Sequence, residues 1–183
     1  MFPNVIFGDH TIGEYIVPKR GKGLLSKDAG EGEVPVVAGG LQPATYHNAS
    51  NTIAPVLTIS ASGANAGYVN LWAVPVWSSD SSFIDSTMTD DVYFWYVMLK
   101  KRQREIYEAQ MGSAQPHIYP KHIDIMPTIE LLEEDIGIFT KQVTPLFETI
   151  GNNLKEIEKL RLLCDTLLPH LMSGEIDVSQ VKT

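Results

Sequence analysis

Cysteine is nearly missing from this chain. The single one, Cys164, excludes an internal disulfide and fits a reducing compartment. Long apolar runs are missing too, and no stretch approaches the length that spans a bilayer. The first ten residues lack the basic-then-apolar pattern of an export signal, so a cytoplasmic protein is expected. His10, His47, His117, His122 and His170 show no metal-ligand spacing, and no zinc site is expected. Lys19 to Asp28 is basic and glycine-rich but lacks the G-x-x-x-x-G-K-[ST] spacing of a nucleotide loop. Ile59 to Gly63 is not the G-x-S-x-G turn of a serine hydrolase. A Ser/His/Asp set assembled from Ser62, His117 and Asp85 would rest on free choice among many polar residues. No catalytic residue, metal or cofactor is therefore expected.

Basic charge is also scarce. Lys and Arg number 14 against 22 Asp and Glu, a net charge of -8. Its distribution is uneven: residues 1–127 hold 9 basic and 12 acidic residues, residues 128–183 hold 5 and 10. The first segment is close to neutral and can still present a basic face, although a nucleic-acid binder is usually basic over its binding domain.

What the chain does have is a C-terminal third with sustained helical periodicity. Ile136, Phe139, Val143, Leu146, Ile150, Asn153, Ile157, Leu160, Cys164, Leu167 and Leu171 alternate three and four apart. That pattern predicts a long coiled-coil-type helix whose seam, at about 1.5 Å per residue, would run roughly 50 Å. Phe147, Leu154, Leu163 and Leu168 widen the apolar face beyond a two-helix seam. Pro145 should bend or locally break the helix, and Gly151-Asn152-Asn153 is a further weak point. A helical hairpin broken near either place is the competing arrangement. These residues are read as a helix–helix interface, with self-association expected.

The first 127 residues read differently. Val34–Val37, residues 53–60, 68–74, 76–77 and 83–84 are short β-rich runs punctuated by Gly, Pro, Asn and Ser. They predict a compact, curved or barrel-like sheet. Residues 12–17 read as a strand or short helix. Ser86-Thr87 and Asp90-Asp91 announce a helix over Val92 to Tyr107, and Gly112 stops it. Residues 123–127 read as a last strand, with the long helix starting near Thr128. The expected class is α+β: a small β-rich, barrel-like domain with short helices over 1–127, then the long helix and tail over 128–183.

At this point the residues resemble the specificity subunits of type I restriction–modification systems. Gly21-Lys22-Gly23-Leu24 with Ser26-Lys27, and Thr58-Ile59-Ser60 through Gly63 to Ala66-Gly67-Tyr68-Val69, look like the opening of that family's target recognition domain. Gly112-Ser113-Ala114-Gln115-Pro116-His117-Ile118 resembles its G-[ST]-x-Q-x-x-[IL] loop. Leu167-Leu168-Pro169-His170-Leu171-Met172-Ser173-Gly174-Glu175-Ile176-Asp177-Val178 resembles the end of its spacer helix and is the most specific stretch. The family usually enters that helix with Pro-Leu-x-Glu-Gln, whereas Pro127 here leads into Leu131-Leu132-Glu133-Glu134-Asp135.

The resemblance implies a non-catalytic subunit with one recognition domain and one spacer helix, either a half-subunit or a fragment of a two-domain subunit. It implies double-stranded DNA, methyltransferase subunits and, indirectly, a restriction subunit as partners, and no membrane. Each recognition domain would read half of a bipartite target while the helix sets the gap. The expected DNA-binding residues are Lys22, Lys27, Gln42, Ser62, Asn65, Lys101, Arg102, Arg104, Ser113, Gln115 and His117. Cations at a helix end also have a purely structural explanation in the helix dipole. The competing reading is an acidic coiled-coil adaptor or DNA mimic with no readout of its own.

Overall fold

The computed structural model describes residues 8–24, 30, 32–112 and 115–175. Its elements in order are β1 (His10–Thr11), a 3-10 turn (Ile12–Glu14), β2 (Lys19–Arg20), β3 (Val34–Val37), β4 (Thr45–His47), β5 (Val56–Ser60), β6 (Val69–Trp72), β7 (Trp77–Ser78) and β8 (Ser81–Asp85). Then follow α1 (Val92–Lys101), α2 (Gln103–Glu108), α3 (Pro120–Asp124), β9 (Pro127–Thr128) and α4 (Glu133–Met172). The α+β class is as expected, but the strands do not close into a barrel. They form a four-stranded sheet ordered β2-β8-β5-β6, a three-stranded sheet ordered β4-β3-β7, and the pair β1-β9.

Strand β5 explains this layout. All five of its residues are buried, between antiparallel neighbours β6 and β8. Side chains alternate across a strand. Leu57 and Ile59 enter the main core with Val69, Ile84, Met98, Leu99, Ile106 and Ile118. On the other face, Val56 packs with Val37, Val76 and Phe83 in a second cluster. There the Trp72 indole N–H donates to the Thr58 hydroxyl at 2.8 Å, so the polar atom on that face is satisfied.

Three sequence expectations change. Residues 123–127 are not one strand, because Pro120 opens the short helix α3 and pairing begins at Pro127. The helix expected over Val92 to Tyr107 is interrupted at Arg102, whose backbone (φ -97°, ψ 16°) departs from helical values. The long helix starts at Glu133, and its first turn carries Glu133, Glu134 and Asp135, favourable charges at a helix N-terminus.

The described chain divides into two compact units meeting between Thr144 and Pro145. In the first, Ile136 is buried, and Phe139 meets Phe94 edge-to-face at 5.8 Å. The interface expected of Ile136 and Phe139 with another helix is therefore corrected: both pack on their own domain's core. In the second unit α4 continues to Met172, with Pro145 and Pro169 inside it. Neither Pro145 nor Gly151 interrupts it, so the competing hairpin does not form and the local break expected at Pro145 is absent. From Leu146 the apolar row is open, with Leu146, Ile150, Leu154, Ile157, Leu160, Leu163, Leu167 and Leu171 all exposed, as is Cys164.

Candidate nucleic-acid interface

One rim of the first unit collects the loops at the end of β2, the end of β3, the end of β5 and the start of β8. The backbone ties them together. The β5–β6 loop is closed by the Ser60 N–H donating to Tyr68 O (3.0 Å) and the Gly67 N–H donating to Ser60 O (2.7 Å). Met111 and His117 exchange two backbone hydrogen bonds, Met111 N–H to His117 O (3.0 Å) and His117 N–H to Met111 O (2.8 Å), and the stretch from His117 continues into Ile118. Residues 116–118 are joined to the β5–β6 loop by Ile118 N–H to Ala61 O (2.9 Å) and Gly63 N–H to Pro116 O (3.1 Å). Ser79 N donates to Val37 O, and Ala61 N to Asp80 O. The Asn51 side chain clamps both backbone groups of Ser78, at 2.9 and 2.7 Å.

Glycine matters at two positions here. Gly67 has φ +82°, and a Cβ there would sit 2.9 Å from Ile106 Cγ2, so the loop can approach α2 only as glycine. Gly112 has φ +96°, and a Cβ would meet the Gln115 carbonyl oxygen at 2.6 Å. The far side of the β5–β6 loop is held by α2 and the residues after it. Gln103 donates to Gly67 O (2.7 Å) and accepts from Val69 N (2.9 Å), and Gln110 donates to Ala66 O (2.7 Å).

Ser62 and His117 face each other across an isolated bridge on this rim, with Asn65, half-buried, and Gln115, exposed, in the same two loops. Gln42 is exposed in the loop after β3, where a Cβ on Gly39 would run into the Ser62 carbonyl oxygen. Lys22 is exposed, its backbone bonded to Ser78 and to the Trp77 indole. The structure thus gathers Lys22, Gln42, Ser62, Asn65, Gln115 and His117 around one rim. The His117 ring stacks near parallel to exposed Tyr119, centroids 6.0 Å apart. Lys27 and Ser113 lie outside the described residues.

The basic cluster at the end of α1 is elsewhere occupied. Lys100 donates to Val69 O at 2.7 Å and lies 4.0 Å from the Tyr68 ring centre, a cation–π contact. Arg102, expected at a DNA surface, is only 2% exposed. Its guanidinium donates to both oxygens of Glu105 (2.8 and 2.6 Å) and to Pro127 O (2.8 Å). A buried guanidinium whose three nitrogens are each bonded within the domain cannot reach a phosphate, so that expectation is corrected. Arg104 is exposed and pairs with Glu108 at 2.9 Å, and Lys101 is exposed.

Two rim residues escaped the sequence reading. Arg20 donates to Asp80 Oδ1 at 2.6 Å, and Ser62 donates its hydroxyl to Asp80 Oδ2. Sixty residues separate Arg20 from Asp80, and no local pattern announces such a pair.

The fold has known counterparts. A stretch of 103 residues, 54% of the chain, is 35% identical to the MjaIX type I restriction enzyme specificity subunit of Methanocaldococcus jannaschii. Another of 119 residues, 62% of the chain, is 30% identical to the HindI specificity subunit of Haemophilus influenzae. Over these stretches the chain is similar to type I restriction specificity subunits. The crystal structure of the type I restriction-modification S subunit from M. genitalium matches 94% of the chain with a TM-score of 0.69, at 20% identity, a likeness of fold. No family model matches. The matches span 23% and 26% of the two curated relatives and 48% of the M. genitalium chain, so this chain corresponds to about half of that S subunit.

Proposed function

We propose that this specificity-subunit relative is a sequence-specific DNA-recognition component of a type I restriction–modification complex. In this reading, residues 1–127 form the recognition domain and residues 128–183 the spacer helix and tail. The rim reads one half of a bipartite target, and the helix seats a second helix and the methyltransferase subunits, through which a restriction subunit joins. The chain itself is non-catalytic and works in the cytoplasm. No helix among the described residues is long and apolar enough to cross a membrane.

The observation that carries this reading is the rim. Ser62, Asn65, Gln115 and His117 offer donors and acceptors from two loops that the backbone holds in fixed register, as base-edge readout requires. Lys22 supplies a nearby positive charge for a phosphate. The acidic net charge had favoured an adaptor or DNA mimic. That reading gains no support from the relatives, and the first turn of α4 holds three of the acids away from the rim loops in sequence.

The test is enrichment from a random duplex library by the full chain, with and without a type I methyltransferase subunit, followed by sequencing. Recovery of a short motif, doubled with a fixed gap when two copies pair, is the expected result. Salt-insensitive binding or an unbiased pool would eliminate DNA readout.

A further inference from the structure

We propose that Arg20 is a specificity-determining residue of the rim, selecting a guanine, with Asp80 as the residue that presents it. This rests on the DNA-reading function proposed above. Arg20 ends β2 opposite Ser82 of β8, and Asp80 precedes β8 in the turn after β7. The guanidinium is engaged through a single nitrogen, Nη2, on Asp80 Oδ1. Its Nε and Nη1 donors have no protein partner among the described residues, and the side chain is about two-fifths exposed, at 41%.

Asp80 is a fixed post. Its other oxygen receives the Ser62 hydroxyl, its carbonyl receives Ala61 N–H, and the residue before it is bonded to Val37. A carboxylate held this way restricts where the guanidinium plane can point. It also argues against a phosphate contact. A negative charge 2.6 Å from Nη2 repels a phosphate approaching the same group, whereas a neutral base edge pays no such penalty. The lysine nearby, Lys22, forms no ion pair among the described residues, so the phosphate role falls to it.

The base follows from the donors. Arginine offers a planar fork of N–H groups and no acceptor. In the major groove only guanine presents two acceptors, O6 and N7, spaced for that fork. Adenine offers an N–H2 donor at the O6 position, which would face another donor. Both Asp80 oxygens already accept a hydrogen bond, from Arg20 and from Ser62, so a cytosine amine would have to share them with these two donors.

The experiment is competitive binding by the full chain to the duplex recovered from the random library, and to duplexes in which each G·C pair in turn becomes A·T. Wild-type protein should lose affinity on the order of ten- to a hundredfold at one such guanine. Arg20→Lys keeps the charge and its pairing with Asp80 but loses the fork. It should bind the two duplexes about equally while melting at the wild-type temperature. Asp80→Asn should lower discrimination at that same guanine. Wild-type discrimination retained by Arg20→Lys at every G·C pair would overturn the assignment. So would an equal loss of affinity for all duplexes, which is the mark of a phosphate contact. A wild-type protein that enriches no motif at all would instead defeat the DNA-reading function itself.

Discussion

Arg102 carries a positive charge into the core, and the structure answers it with Glu105 and the Pro127 carbonyl. A buried guanidinium of this kind ties the break between α1 and α2 to the strand that precedes α4. Arg102→Met should destabilise the first unit by about 3 kcal/mol, since it strands Glu105 and the carbonyl. Glu105 still reaches solvent, which keeps the loss at the low end of that range. Urea unfolding of the single variant measures it. A second residue-scale feature is the His10–Glu14 contact at 2.7 Å. The hydrogen bond that the imidazolium donates to Glu14 raises the His10 pKa above 6.5, and the same bond lowers the Glu14 pKa below 4.5. The raised histidine stabilises fully below its unfolded value and loses that effect as pH rises through its folded value. The lowered carboxylate stabilises above its unfolded value and loses that effect as pH falls through its folded value. Both act fully between about 4.5 and 6.5, the ordinary values of the two groups. An NMR titration should therefore place His10 above the ordinary histidine value, and Glu14→Gln should lower it again.

At the scale of elements, the β5–β6 loop depends on its fit against α2. Gly67→Ala forces a side chain into the left-handed region and against Ile106, at about 1–3 kcal/mol. The expected result is a lower melting temperature together with weaker DNA binding, because the loop carrying Ser62 and Asn65 moves. Much of this level was legible from residues alone. The short strands β3, β5, β6 and β8 announced themselves by β-branched runs between glycines and prolines, and α4 by its three-four alternation. The misreadings have physical causes. Ile136 and Phe139 share the heptad phase of the exposed row, yet periodicity cannot tell which apolar partner a helix turn will meet. Lys100 to Arg104 looked like a solvent-facing helix end, but the chain kinks at Arg102 and turns that side chain inward. The Arg20–Asp80 pair spans 60 residues, and only the pairing of β2 with β8 brings it together.

For the whole molecule, the open apolar row from Leu146 to Leu171 is the property that demands explanation. Exposed leucines and isoleucines at this density mark a surface that is covered in the working state. Light scattering should give twice the chain mass, 20.3 kDa per copy. The double variant Ile157→Asp, Leu160→Asp should return it to a single mass with the first unit still folded. Like copies joined in this way would be related by a twofold axis, and the target they read would be palindromic. A single mass for the wild-type chain would point instead to a missing second half carried on a longer polypeptide.

The central claim is that the loops around Ser62 and His117 are where this chain meets DNA. Hydrogen–deuterium exchange of the full chain, with and without the duplex recovered from the library, tests it most directly. Slowed exchange is expected in residues 60–67 and 115–119, with the Lys100–Arg104 segment unchanged. Unchanged exchange in both rim loops, with protection confined to other segments, would contradict it.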